Sequence, residues 1–184
     1  MPPLLMVFAI CQLYSGVVGS VEVSPAVREK LVMGWLETVF LQPSNLHVTA
    51  KLDTGAKTSS LHAGHVEHFN KNGDPWVRFS FIPGGDKKSL VIERPLVRKA
   101  VIKERLSRSS TRDVVKLSIC KNGRDYETEF TLNDRSNFNY PILLGRSFLA
   151  DVALVDSSAT FLFKAENDAC ADKAKLSKQG NNGQ

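Results

Sequence analysis

Asp53-Thr54-Gly55-Ala56 is the segment of this chain best suited to chemistry. A carboxylate followed by a threonine and a glycine on a short loop can act as a general base toward water, provided that a second carboxylate lies close enough to share one proton with it. One carboxylate then activates the water and the other polarises the carbonyl under attack, which is the chemistry of amide hydrolysis. Gly55 permits the close backbone approach that such a pair requires, and Thr54 can hydrogen-bond across the pair and stiffen it. An ordinary Asx turn at a strand end would use the same residue types. The tetrapeptide occurs once in 184 residues and no internal repeat supplies another. Asp53 is therefore expected to meet its counterpart from a second copy of the chain, giving one site per homodimer.

Other chemistries fit less well. His62, His65 and His68 lie three apart with Glu67 beside them, but no HExxH helix places two ligands on one face with a glutamate base. On a strand His62 and His65 point to opposite faces, so all three read as surface histidines beside a strand, and no metal is expected. No Gly-rich GxxxxGK[ST] loop is present to cradle a nucleotide, and no cofactor is expected. Gly145-Arg146-Ser147-Phe148-Leu149 lacks the closing glycine of a GxSxG elbow, which makes Ser147 a helix-start residue. The stretch 98–112 carries six basic side chains against the single acid Glu104. It reads either as a solvated loop or as a flap touching substrate, with Arg105, Arg108 and Arg112 as the candidate contacts. It has no interleaved aromatics for stacking bases, so no nucleic-acid partner is expected.

The elements that must hold Asp53 are strands. Runs of period two separated by turn residues dominate from about residue 30 to 163, and no long stretch sustains a helical period. The clearest is a hairpin over 114–120 and 126–132 around Asn122-Gly123, because Asn-Gly accepts the positive φ angles of a tight primed turn. Val115, Leu117 and Ile119 share one face of it. On the returning strand Tyr126, Phe130 and Leu132 alternate with Glu127, Glu129 and Thr131, giving a buried and a wet side. Further strands are expected over 31–41, 47–52, 76–82 and 89–92, with Pro83-Gly84-Gly85-Asp86 turning between the last two. One short helix follows Gly145, through Ser147 to Ala150.

A second segment, Tyr140-Pro141-Ile142-Leu143-Leu144-Gly145-Arg146, places an apolar strand and a glycine downstream of Asp53 and leads into that helix. With this segment the chain resembles the retropepsin-like aspartic endopeptidases, a family also carried under the label of ATP-dependent zinc proteases. The resemblance runs from Gly34-Trp35 through Lys51-Leu52-Asp53-Thr54-Gly55-Ala56-Lys57-Thr58-Ser59-Ser60-Leu61-His62-Ala63 and Phe130-Thr131-Leu132-Asn133-Asp134-Arg135 to Leu143-Leu144-Gly145-Arg146-Ser147-Phe148-Leu149. It implies an all-β, closed barrel of the acid-protease fold in a single lobe over residues 28–163. It also implies Asp53 as the catalytic carboxylate, Thr54, Gly55 and Ala56 as its loop, and Leu144 and Gly145 as the supporting segment. Neither zinc nor ATP finds a motif here. Viral retropepsins follow Asp-Thr-Gly-Ala with an aspartate that pairs the arginine after the later glycine, whereas this chain has Lys57, so Arg146 must bind elsewhere, at Asp134 or Asp151. Relatives are associated with ligases that append glutamates to proteins, which suits an acidic peptide or protein substrate.

Composition adds the setting. Lys and Arg number 24 against 19 Asp and Glu, a net charge of +5, and the uncharged first 20 residues leave that excess on the remainder. Residues 4–18 are mostly apolar and end near Gly16, Gly19 and Ser20, as an export signal or a short N-terminal membrane anchor does. Removal near Val21 leaves Cys120 and Cys170, a pair able to join in an oxidising compartment, so a periplasmic or secreted protein is expected. From residue 164 the chain is polar and too poor in apolar surface to offset its ordering entropy, and a disordered tail is expected. The competing reading of the whole is a non-catalytic binding or regulatory module that keeps the barrel without a productive dimer.

Overall fold

The structure is a computed structural model, and it describes residues 29–84, 88–103, 109–163 and 169–171. Its elements are β1 (Leu31–Leu41), β2 (Leu46–Leu52), β3 (Ser59–Lys71), β4 (Asp74–Phe81), β5 (Leu90–Pro95), β6 (Arg98–Lys103), β7 (Ser109–Lys121), β8 (Arg124–Asn133), β9 (Ile142–Leu144), α1 (Arg146–Val152) and β10 (Ala153–Thr160). β1, β2, β9, β3, β8 and β7 hydrogen-bond in that order, and β7 returns to β1 through Phe40↔Cys120 and Leu41↔Ile119. The result is the expected all-β closed barrel, of six strands. β10 adds to its edge beside β1, β6 continues it beyond β7, and β4 and β5 extend from β3.

Closure puts one face of every barrel strand inside. Val48, Ala50 and Leu52 of β2 are buried at period two, and Val115, Leu117 and Ile119 of β7 meet Phe130 and Leu132 of β8 in the same core. Fully burying each such side chain contributes about 1.5–3 kcal/mol, and this fixes the register, because a slip of one residue would turn the whole set outward. Asn122 and Gly123 take φ of 49° and 75° at the hairpin turn, as their residue types require. Thr131, expected on the wet side, is instead buried. Its hydroxyl donates to the Ser59 carbonyl across the parallel β3–β8 pairing.

The seam of the barrel carries a buried ion pair. The β1–β10 register shifts between Gly34 and Leu36, which takes backbone amides out of the ladder. Glu37, fully buried, accepts the Gly34 N–H at 2.8 Å and the Leu162 N–H at 2.9 Å on Oε1, and Lys121 Nζ at 3.1 Å on Oε2. Lys121 also donates to the Thr38 carbonyl at 2.9 Å. Neighbouring Cys120 is bonded to Cys170 with Cα atoms 5.9 Å apart. Within the tail expected to be disordered, residues 169–171 therefore form a helical turn, with Cys170 buried against Phe40. The covalent tie supplies order that the polar composition could not. The N-terminal segment up to residue 28, the rest of the tail and much of the Pro83-Gly84-Gly85-Asp86 turn lie outside the described residues.

Candidate active site

β2 ends at Leu52, whose buried side chain anchors the strand and leaves Asp53 as the first residue of a tight loop. The Asp53 N–H donates to the Leu144 carbonyl at 2.9 Å, which continues the parallel β2–β9 pairing by one bond. Asp53 Oδ1 accepts the Gly55 N–H at 3.0 Å and the Ala56 N–H at 3.2 Å. The local geometry is thus an Asx turn, but one whose second oxygen, Oδ2, faces Lys51 in a cleft. Thr54 and Gly55 are exposed at the loop tip.

Leu144 and Gly145 lie beside the Asp53 loop. Gly145 follows β9 and caps α1, and its N–H donates to Ser59 Oγ at 3.2 Å. A Cβ on Gly145 would lie 2.6 Å from the carbonyl carbon and oxygen of Thr58 and 3.0 Å from its nitrogen, so this glycine is required by close approach of two backbones. Arg146 and Ser147 donate their N–H groups to the Ala56 and Lys57 carbonyls at 2.9 and 3.0 Å. Ser147 sits in the first turn of α1, as expected. The partner of Arg146 is neither Asp134 nor Asp151. Its Nη1 donates to the Thr54 carbonyl at 2.9 Å and the Gly55 carbonyl at 2.8 Å, so backbone oxygens of the loop replace the aspartate that Lys57 displaced. Asp134 instead accepts the Ser136 N–H at 2.9 Å.

The cleft beside Asp53 encloses about 350 Å³ and is lined by Trp35, Lys51, Asp53, Arg135, Phe138, Asn139, Tyr140 and Leu143. Asp53 is the one carboxylate in this lining. Lys51 Nζ lies 3.3 Å from Oδ2. Partial burial pushes the Asp53 carboxyl up, but the Gly55 N–H and the Lys51 ammonium outweigh it, and the group is held below the ordinary carboxylate range. Lys51 and Arg135 belong to the segments that carry the family resemblance, and the residue types alone gave neither a role. Their signal was position: Lys51 is two residues before Asp53 on the strand face opposite the core, and Arg135 follows β8.

The histidines separate. His62 is not a surface residue: only 12% of its side chain is exposed, and Nδ1 accepts the Arg135 N–H at 2.8 Å. His65 takes φ of 50° where the β3–β4 register shifts, and His68 Nε2 meets Asp113 Oδ2 at 2.9 Å. Among the basic candidates, Arg112 is half-buried on β7 opposite Ala100 of β6 and lies close enough to oppose the charge of Arg135. The stretch 98–112 is thus not a free loop but a hairpin of β6 and β7. Arg105 and Arg108 fall in its connection, outside the described residues.

Comparison with known proteins agrees with this geometry. The family model described as retropepsin-like aspartic endopeptidase RimB matches residues 32–166. A protein of Shewanella pealeana named "Probable alpha-L-glutamate ligase" is 33% identical over 123 residues, covering 66% of this chain and 27% of that protein. One of the same name from Desulfotalea psychrophila is 34% identical over 111 residues, covering 59% and 24%. The chain spans about a quarter of these ligases. The crystal structure of Lpg0085 from Legionella pneumophila, a protein of unknown function, superimposes with a TM-score of 0.65 at 33% identity and covers 74% of this chain and 100% of that one. A barrel built around one Asp-Thr-Gly loop, braced by Leu144-Gly145 and matched by the family model over most of its length, belongs to the RimB-like family of retropepsin-like aspartic endopeptidases.

Proposed function

We propose that the protein is an aspartic-type endopeptidase that hydrolyses peptide bonds as a homodimer, with Asp53 of each chain contributing to one site. The observation that carries this reading is the Asp53 loop, whose Asp53 N–H and Oδ1 are held by backbone hydrogen bonds while Oδ2 faces the cleft, with a single carboxylate in the lining. One Asp53 would draw the proton from water while the other, protonated, donates to the scissile carbonyl oxygen. The pair then passes a proton to the leaving nitrogen. Two such carboxylates cannot both ionise at close range, so on dimerisation one of them must rise above the depressed position that Asp53 has beside Lys51. Thr54, exposed at the loop tip, would cross-link the two loops, and Arg146 would hold each loop's carbonyls.

A peptide substrate rich in acidic side chains suits Lys51 and Arg135 in the cleft lining, with Arg112 close to Arg135. The glutamate-ligase names of the relatives support the same choice, and so does a site with no anionic wall other than Asp53 itself. The Cys120–Cys170 bond supports export to an oxidising compartment, periplasmic or extracellular, and the N-terminal apolar segment would be its leader or its tether.

A second reading, a non-catalytic binding module, is favoured by the Lys51 contact, which neutralises Asp53 within one chain. Purified wild-type protein and Asp53→Asn, compared for chain association and for cleavage of a panel of acidic and neutral peptides, separate the two. The enzyme reading expects a dimer in both and cleavage in wild type alone. A strictly monomeric wild-type protein, or cleavage unchanged in Asp53→Asn, would sink it.

A further inference from the structure

Arg135 is buried to 5% exposure, yet no carboxylate among the described residues lies within ion-pair distance of it. An arginine with so little exposed surface is ordinarily paired with an acid, because Arg is almost never fully buried without a partner. Its environment makes the deficit plain. Nε donates to the Tyr140 carbonyl at 3.1 Å, Nη1 reaches Ser60 Oγ at 3.4 Å, and the plane stacks on Phe138 with Cζ 4.5 Å from the ring centroid. These partners are neutral. Burial and the like charge of Arg112 both push the guanidinium down from its ordinary value, and Asp53 alone opposes them. Asp53 does not pair with it, since Oδ1 is taken by backbone N–H groups and Oδ2 faces Lys51.

The remaining edge of the fork is Nη2. It finds no acceptor among the described residues, and it is not sealed from solvent, because the one buried side-chain nitrogen or oxygen among them without a partner is Ser110 Oγ. Arg135 lines the cleft that holds Asp53. We propose that Arg135 is the residue that selects an acidic side chain of the substrate, with Nη2 donating to that carboxylate in the cleft and Arg112 adding positive potential behind it. The contacts to Tyr140, Ser60 and Phe138 hold the fork before substrate arrives, so little side-chain entropy is lost on binding. The proposal rests on reading the cleft as the place where peptide lies, and it adds the residue that reads the peptide's charge.

The test uses the full chain carrying Asp53→Asn, so that binding is measured without turnover. The probes are a short glutamate peptide with blocked ends and its glutamine counterpart, followed by titration calorimetry. Hydrogen bonds to a charged group of this kind correspond to a preference of about 10- to 100-fold for the glutamate peptide. Adding Arg135→Gln should remove that preference, and Arg135→Lys, which keeps charge but not the fork, should lose most of it at a temperature where thermal unfolding shows the variant still folded. Arg112→Gln should weaken it several-fold and steepen no salt dependence. As a readout that needs no change at Arg135, the side-chain nitrogen resonances of labelled arginine should shift for one buried arginine with the glutamate peptide and not with the glutamine peptide. Equal affinity for both peptides, a preference surviving Arg135→Gln, or no arginine shift would overturn the proposal. Selective binding by a protein whose wild type cleaves nothing would leave Arg135 in its role and defeat the endopeptidase reading instead. Cleavage indifferent to peptide charge would do the reverse.

Discussion

Gly145→Ala isolates the link between the segment after β9 and the Asp53 loop. The added Cβ would start 2.6 Å from the Thr58 carbonyl carbon and oxygen, against about 3.4 Å for an ordinary contact. One of the two backbones must therefore move by about 0.8 Å, since neither contact is the free end of a flexible side chain. The neighbouring Arg146 and Ser147 N–H groups hold the Ala56 and Lys57 carbonyls, so the displacement is carried into the turn that aims Asp53. Overpacking of this kind costs about 1–3 kcal/mol, and each kcal/mol lowers the melting midpoint of a domain of this size by about 4 °C. A misplacement near 1 Å can cost about 100-fold in rate, so peptide cleavage should fall by more than the loss of folded protein explains. The assay is kcat/KM at a temperature where thermal unfolding shows the variant still folded. Gly64→Ala is the control, because its Cβ would meet only Ile82 Cδ1 at an ordinary 3.5 Å, and its effect should stay within about 0.5 kcal/mol. A Gly145→Ala protein with wild-type midpoint and wild-type cleavage would refute the argument that this glycine positions the loop.

Three other outcomes are expected. The Cys120–Cys170 bond closes a loop across 50 residues of sequence, for which loop-closure entropy gives about 4 kcal/mol at most; Cys170→Ser should lower the free energy of unfolding by about 2–4 kcal/mol in equilibrium denaturation, and reductant should have no further effect on the variant. Lys121→Met leaves Glu37 as a buried carboxylate without its cation and should cost about 3–5 kcal/mol; equilibrium unfolding of the variant against wild type checks the loss. Lys51 helps hold Asp53 in its ionised form, so its folded contribution is present above the ordinary carboxylate range and is lost as pH falls through the depressed one. Lys51→Met raises the carboxyl, and the acid limb of a bell-shaped cleavage profile should move to higher pH; an unmoved limb would show that Lys51 leaves Asp53 in the working dimer.

Much of this architecture was legible because it is local. β1 spans the expected 31–41, the Asn122-Gly123 hairpin forms with the expected turn, and α1 starts just after Gly145. β3 has no clear period-two signature, since its histidines and Gly64 break the alternation, and the register shifts between Gly64 and Glu67. β6 and the start of β7 were hidden by their charge. Their exposed faces carry the basic residues that read as a loop. β10 exists through parallel pairing with β1, on the far side of the chain, a contact with no local signature. The Asp53 loop was legible from its own residue types and Gly145 from the ordered motif. Lys51, Arg135 and the carbonyl partners of Arg146 were not, because their roles depend on which strands become neighbours.

The central claim is that neither chain owns a complete site, and mixed dimers test it most directly. Wild-type and Asp53→Asn chains, equilibrated until they exchange, should give cleavage that falls as the square of the wild-type fraction, because only dimers with two Asp53 carboxylates are competent. At equal proportions about one quarter of the activity of the same total amount of wild-type protein should remain. If exchange is complete and about one half remains, following wild-type content in simple proportion, each chain works alone and the shared site is contradicted.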